Sequence, residues 1–340
     1  MAEPSVAAPV SAPGEDAGSS SAAGRWLAVL TKIVGSRAVR WGFVAVALGL
    51  AGYALARDWA PVRGALTSLG WWAVAGALVS VLLAYAATVQ VWRLLLASLG
   101  SPLPYTAAAK VLLVGQIGKY VPGSIWPVLA SMELGRAHQV PRSRSASASI
   151  LQMLISLITG LLTALVTLPF VAGAMPYRWA LLGAPILLVV VHPRVLNALI
   201  GRLLRLVRQP PLERPLTAAA LLRAMTWSFG SWICYGLQIW ILATRLGAPP
   251  GETALIALGG FAFAWSVGFV VVFAPAGAGV RDVLLLVSLS PVLGTADGTA
   301  VVLVSRVATT VADLVSAAVA TRSVRRRPSV RDGGVGADLP

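Results

Sequence analysis

The sequence predicts an all-α, polytopic membrane bundle of about eight crossings, with a re-entrant segment and an internal pseudo-repeat. Three observations predict it. Hydrophobic residues make up 57% of the 340 and charged residues only 11%, against roughly 45–50% and about 25% in soluble domains, so a water-soluble core cannot absorb the apolar surface. Uncharged runs near the ~20 residues that span a bilayer recur along the chain. Stretches such as Gly70 to Trp92 and Val283 to Leu286 are apolar on every side, which suits helices and excludes the alternating strands of a barrel.

A formal net charge of +15 would suit nucleic acid, but the arginines cluster beside hydrophobic runs, where they set topology and meet anionic lipid; no nucleic-acid partner is expected. The single cysteine, Cys234, lies inside a hydrophobic run and permits neither an intrachain disulfide nor a thiolate metal site. His138 and His192 each flank a basic juxtamembrane stretch and read as interfacial or loop residues rather than metal ligands. No catalytic residue, metal or cofactor is expected. Arginine far outnumbers lysine, and alanine and glycine abound, a composition typical of a high-GC bacterial source.

Residues 1–24, rich in Ala, Pro, Ser and Gly, lack the basic start and apolar stretch of a signal peptide and are expected to form a disordered cytoplasmic tail. Over 25–40, Trp26, Leu27, Leu30, Ile33 and Val34 recur at helical spacing beside Arg25, Lys32, Arg37 and Arg40, the pattern of a basic interfacial helix. The transmembrane domain is expected over 41–321. Its clear spans are Trp41 to Ala56, Gly70 to Trp92, Ser147 to Pro169, Trp179 to Val191, Trp227 to Thr244, Thr253 to Phe273 and Thr299 to Ala320. Trp41, Trp59, Trp71, Trp72 and Trp92 are placed near the interfaces, and Arg57 to Ser68 reads as a loop. Within 194–224, Leu196, Leu199, Ile200, Leu203 and Val207 repeat beside Arg194, Arg202, Arg205 and Arg208, a cytoplasmic amphipathic helix. Residues 322–340 are expected as a basic, disordered cytoplasmic tail.

Two segments fit this scheme poorly. Lys110 to Glu133 is interrupted at Pro122-Gly123, and Val283 to Leu293 is only about half a bilayer long at 1.5 Å per residue. The dense basic stretches, 25–40, 136–144, 194–223 and 322–331, should share the cytoplasmic side. That requires the first segment to enter and leave on one side and the second to make a short crossing. The breaks read Gln116-Ile117-Gly118-Lys119-Tyr120-Val121-Pro122-Gly123 and Val272-Phe273-Ala274-Pro275-Ala276-Gly277-Ala278-Gly279-Val280-Arg281-Asp282. Each carries an aromatic, a small or β-branched residue, a proline and a small residue, in different halves of the chain, and paired Gly/Pro interruptions point to a binding site in transporters with internal repeats.

Proline removes a backbone donor, glycine permits unusual dihedrals, and unwound backbone is tolerated at membrane depth only against protein or a water-filled cavity. A helix restarting after each break presents free N–H groups, and Lys119 and Arg281 add positive charge, a setting that suits a lipid phosphate. Tight turns with snorkelling cations are the plainer alternative. No Walker-type sequence accompanies Gly277 and Gly279. Two polar stripes, Gln152, Ser156, Thr159, Thr163 and Thr167, and Ser305, Thr309, Asp313 and Ser316, fall three or four residues apart and should face inward. Arg306 and Asp313 share the second face two turns apart, and an ionisable residue in a span is a functional hypothesis by default. A structural ion network, such as Arg306 with Asp282 or Asp313 with Arg281, is the alternative.

At these residues the chain resembles the flippase-like family typified by the transmembrane region of lysylphosphatidylglycerol synthases. The resemblance covers most of Trp41 to Ala320 and rests on Gly118-Lys119-Tyr120-Val121-Pro122-Gly123, on Pro275 to Asp282, and on Ser305-Arg306-Val307. It implies a membrane module that moves an amphipathic lipid between leaflets, with Arg281, an acidic partner and Arg306 near the lipid path. Asp282 stands where the family usually has glutamate, Ala276 replaces a glycine, and Gln152 takes a place where many members carry an acid. The chain ends soon after its last span, so the soluble aminoacyl-transfer domain, and lysine transfer with it, are not expected.

The expected function is therefore translocation of an anionic phospholipid or a polyprenyl-linked lipid through a polar cavity between the two breaks, without enzymatic chemistry. The candidate substrate-binding residues are Gln116, Lys119, Tyr120, Pro122, Gly123, Pro275, Gly277, Gly279, Arg281, Asp282 and Arg306, with Glu133 and Asp313 as candidates for ion coupling. Expected partners are membrane lipid and its anionic headgroups, envelope-synthesis proteins or a second copy of the chain. The expected location is the plasma (inner) membrane, with both termini cytoplasmic. A non-transporting accessory subunit of an envelope-synthesis complex and a membrane glycosyl transferase are the alternatives; the latter usually needs a carboxylate in a sizeable external loop, where Arg57 to Ser68 offers only Asp58.

Overall fold

A computed structural model describes residues 59–120, 125–170, 189, 192–206, 216–270 and 279–322. The chain divides into two units, Met1–Arg40 and Trp41–Pro340, and every described residue lies in the second. The expectations for the N-terminal tail, the interfacial helix at 25–40, the first span, nearly all of the fourth span, the C-terminal tail and the two breaks at Pro122-Gly123 and Pro275 to Gly277 fall outside the described residues.

Among the described residues every regular element is helical. In chain order they are α1 Trp59–Leu69, α2 Trp71–Ser98, α3 Tyr105–Gln116 continued by a tight turn Ile117–Tyr120, α4 Trp126–Arg136, α5 Arg142–Thr167, α6 Pro193–Leu206, α7 Ala218–Arg245, α8 Pro250–Val270 and α9 Val280–Arg322. Four of them, α2, α5, α8 and α9, are long and apolar enough to cross a membrane. The protein is an all-α membrane bundle.

Where a loop was expected at 57–68, α1 forms instead. Its Ala65 and Leu69 fall on one buried face, a contact that periodicity over so short a stretch did not announce. Gly70 ends it with φ 76°, a left-handed conformation that a Cβ disfavours, and its N–H returns to the Leu66 carbonyl at 3.2 Å. The amphipathic helix expected over 194–224 falls partly outside the described residues. It is described as α6 up to Leu206, and Thr217 starts α7, its hydroxyl accepting from the Ala220 N–H at 3.2 Å. Trp71 and Trp72 stack on each other and lie exposed, as interface anchors would. Trp92, near the end of α2, is fully buried between helices and donates its indole N–H to the Ser149 hydroxyl at 3.1 Å.

The bundle has two ends. At one, Arg144 donates to the Gly100 carbonyl and to Ser101, and Asn197 clasps Leu216 through both its amide and its carbonyl. At the other, Arg245 reaches the Leu69 carbonyl at 3.2 Å. Helices α3 and α4 form a hairpin that opens at the first end: a Cβ at Gly115 would lie 3.5 Å from the Ser131 nitrogen and one at Gly118 would lie 3.0 Å from the Pro127 nitrogen. Its last described turn before the break, Ile117–Tyr120, lies against α9, as the end of a re-entrant hairpin would.

The second broken segment makes a hairpin of opposite sense. Gly268 packs on Arg281 and Gly260 on Ser288, so residues 280–293 run back antiparallel to α8, towards the second end. This limb of α9 covers about 21 Å, short of the ~30 Å hydrocarbon core. At Gly294 (φ 71°, ψ 178°) the chain reverses, and residues 295–322 return as the final long limb. The reversal is required by distance: Asp282 and Arg306 approach to 3.3 Å, whereas an unbroken helix would hold them about 36 Å apart.

Polarity is inverted relative to a soluble fold. Val79 and Leu83, Ile233 and Leu237, Val283 and Val287, and Val315 and Val319 are all exposed pairs at four-residue spacing, while Gln152, Thr159, Gln238, Ser305 and Asp313 are buried. Both polar stripes thus turn inward. Thr159 bonds the Ser228 hydroxyl at 2.7 Å and receives the Trp232 indole N–H at 3.0 Å, and Gln238 donates to Ser305 at 2.8 Å. These are the interhelical polar contacts that hold helices together where water does not drive association.

Close approach of α7 to α8 depends on Gly236, where a Cβ would sit 2.8 Å from the Leu258 Cα. Gly236→Ala is expected to lower stability by about 1–3 kcal/mol, read as a lower melting temperature in detergent. Gly230→Ala, with no heavy atom within 4 Å of its Cβ, should leave the melting temperature unchanged or higher.

Candidate functional site

The tips of the two hairpins meet the same helix. Arg306 lies near the middle of the 295–322 limb and Asp313 two turns further on, so the limb presents one ionisable side chain to each tip. Tyr85, near the middle of α2, comes from a third direction.

Asp313 is the centre of the first cluster and is only 3% exposed. Its Oδ1 accepts from the Tyr85 hydroxyl at 2.7 Å and from Lys119 Nζ at 2.8 Å; its Oδ2 accepts from the Tyr120 hydroxyl at 2.6 Å and lies 2.7 Å from the same Nζ. The ammonium stands between two tyrosine rings, 5.6 Å from each centroid, a cation–π cage on top of the ion pair. Behind Tyr85 an aromatic wall continues through Tyr235, stacked on Phe261 at 5.1 Å, to Trp232 and Trp265. This wall excludes water, strengthening the electrostatics on its polar side.

In the second cluster Asp282 stands between two arginines. Its Oδ1 lies 3.3 Å from Arg281 Nη2 and its Oδ2 lies 3.3 Å from Arg306 Nη1. Asp282 also caps the helix on which it stands, accepting the Gly279 N–H at 3.3 Å while the Gly279 carbonyl accepts from Val283 at 2.8 Å. Gly279 has φ 89°, so glycine is required for the chain to leave the break and enter the helix in one residue. Arg306 keeps 37% of its side chain exposed, with donors to spare for a further anion.

The structure therefore brings together Lys119, Tyr120, Gly279, Arg281, Asp282, Arg306 and Asp313 from the candidate set. Gln116, half-buried, closes α3 one turn before this cluster. Pro122, Gly123, Pro275 and Gly277 lie outside the described residues. Glu133 is elsewhere: it pairs with Arg142 at 2.9 Å and Arg136 at 3.4 Å at the Arg144 end of the bundle. His138 is also near that end, in the loop after α4, where partial burial and then Lys110 lower its pKa and favour the neutral ring. The pairing of Arg306 with Asp282 is present as foreseen, but Asp313 takes Lys119, not Arg281, because the re-entrant tip reaches it first. Tyr85 was missed in the sequence; the signal that could have found it is a phenol near the middle of a mostly apolar span.

A model of the lysylphosphatidylglycerol synthase transmembrane region matches residues 40–317. The chain belongs to that family. The match embraces both hairpins, the 295–322 limb up to one turn past Asp313, and Tyr85, so every member of both ion clusters is part of the family's membrane domain rather than of an appended segment. No curated protein matches the chain significantly. A lysylphosphatidylglycerol synthase transmembrane region is a membrane domain, which accords with the exposed apolar stripes and the buried ion pairs.

Lys119→Met should destabilise the folded protein by about 3–5 kcal/mol, because it strands the Asp313 carboxylate. Adding Asp313→Asn should recover most of the loss, since the amide oxygen still accepts from a tyrosine. Thermal unfolding of the single and double variants in detergent measures both; equal stability of the two variants would show that the carboxylate is not the source of the cost.

Proposed function

We propose that the protein moves an anionic lipid between the leaflets of the plasma membrane, the phosphate passing along the two ion clusters while the acyl chains remain in the bilayer. One observation carries this reading. At membrane depth the clusters contain three cations, Lys119, Arg281 and Arg306, against two carboxylates, Asp282 and Asp313, and the least buried of these side chains is the cation Arg306. A purely structural network would be expected to close its charge, since an uncompensated charge in a bilayer is costly. One surplus positive charge matches one phosphodiester. Membership of the synthase transmembrane-region family supports the same reading.

Arginine density sets the orientation. Arg136, Arg142 and Arg144 flank the α4–α5 turn, and Arg194, Arg202 and Arg205 lie on α6, at the end where Asn197 holds Leu216 before α7. That end is placed in the cytoplasm by the positive-inside rule, and the α3–α4 hairpin then enters from the cytoplasmic side. No enzymatic chemistry is assigned to the site. Guanidinium and ammonium groups here bind and release an anion.

The full chain reconstituted in vesicles should accelerate inter-leaflet movement of headgroup-labelled phosphatidylglycerol or polyprenyl phosphate and leave labelled phosphatidylcholine slow. Arg306→Gln should slow the anionic lipid about tenfold, the loss of one charge-assisted contact. Rates no faster than in protein-free vesicles, for every anionic lipid tried, would overturn the proposal.

A further inference from the structure

Lys119 Nζ lies 2.8 and 2.7 Å from the two Asp313 oxygens and 3.4 Å from the Tyr85 hydroxyl, so its charge is committed to this cluster. A phosphate that takes this ammonium competes for it with Asp313. Lys119 is free to leave Asp313, since 29% of its side chain is exposed on a flexible four-carbon stem. Asp313 is not free to follow, being buried on the rigid 295–322 limb. Its carboxylate would remain with two tyrosine hydroxyls and no cation, the circumstance in which a buried carboxyl takes a proton. The same hydroxyls can stay bonded to a neutral acid, because a phenol oxygen accepts as readily as its O–H donates.

Resting on the lipid-phosphate reading of the site, we infer that Asp313 is a proton-operated latch on Lys119. An incoming phosphodiester monoanion takes the ammonium, and an O–H bond forms on the Asp313 carboxyl with a proton drawn from water. No other bond is made or broken, and the net charge of the cluster does not change, so anion and proton enter together. Reversal ejects both. The charged and titratable groups that face Asp313 are Lys119 and Tyr120 from the re-entrant tip, Tyr85 from α2, Tyr235 from α7, Arg281 from the other hairpin and Arg306 on its own limb. Of these only Lys119 contacts the carboxylate with a full positive charge. Asp282 cannot serve in the same way, because it touches two arginines and keeps one when the other departs.

The test is calorimetric titration of the detergent-purified full chain with short-chain phosphatidylglycerol, repeated in buffers of different ionisation enthalpy to count protons. Wild type should take up close to one proton per lipid bound, and its affinity should fall as pH rises, about tenfold per pH unit wherever that uptake is measured. Asp313→Asn should bind with no uptake and a flat pH profile, while Asp313→Glu should restore uptake. A carboxylic C=O band appearing on lipid addition in the infrared difference spectrum of wild type gives the same answer without any variant. Binding without proton uptake, or uptake unchanged in Asp313→Asn, overturns the latch and leaves the lipid site standing. Coupled uptake in detergent with no lipid movement in vesicles overturns translocation and leaves the latch standing, and no binding at all overturns both.

Discussion

A carboxylate with almost no access to solvent, placed in a helix that crosses the membrane, is the constraint around which the rest of the structure is organised. Asp313 needs a cation and further donors, and neither neighbouring turn of its own helix supplies a cation that reaches it. The re-entrant tip is shaped to deliver them: α3 must stop within the bundle, its last turn must tighten, and Gly115 and Gly118 must let α4 return close beside it so that Lys119 and Tyr120 arrive side by side. The third donor, Tyr85, in turn fixes the register of α2 against the final limb. Three elements far apart in sequence are thereby tied to one carboxylate.

The second cluster is built by different means. Asp282 and Arg306 belong to the two limbs of one helical hairpin, and the Gly294 turn brings them level. Two hairpins opening at opposite ends of the bundle thus converge on one limb, each contributing a basic residue next to its break. This is the asymmetry seen in the sequence, where the Pro122 break is flanked by two partial spans and the Pro275 break by one full and one short span. Around the clusters, small residues and Ser/Thr pairs supply the contacts that bring helices close, and the aromatic wall from Tyr85 to Trp265 keeps one side dry.

Much of this was legible in the sequence, and for identifiable reasons. Apolar runs mark the spans because the bilayer imposes their length and composition directly. The return of Lys110 to Glu133 on itself is seen in the antiparallel pairing of α3 and α4, and the inward turn of the Gln152 to Thr167 stripe followed from its spacing. The family was readable from the residues around the breaks. What was not legible depended on which chain neighbours arrive in space. Trp92 gives no sign in the sequence that its indole N–H will find the Ser149 hydroxyl inside the bundle. Tyr85 carries no local signal of its role, and the choice of Lys119 over Arg281 as the partner of Asp313 is a matter of how far one hairpin tip reaches. Helix α1 hid within a stretch whose apolar residues are too few to show a period.

The Gly294 turn has a consequence for biogenesis. Asp282 and Arg306 are neighbours across a hairpin that is contiguous in sequence, so their opposite charges can meet while this part of the chain is still being inserted, and the pair enters the lipid already neutralised. Asp313 has no such local partner. Its cation comes from a segment translated nearly two hundred residues earlier, which must wait in the bilayer with Lys119 unsatisfied until the last helix arrives. The first cluster is therefore complete only once the final limb is in place, and a chain that loses that limb leaves Lys119 without its carboxylate.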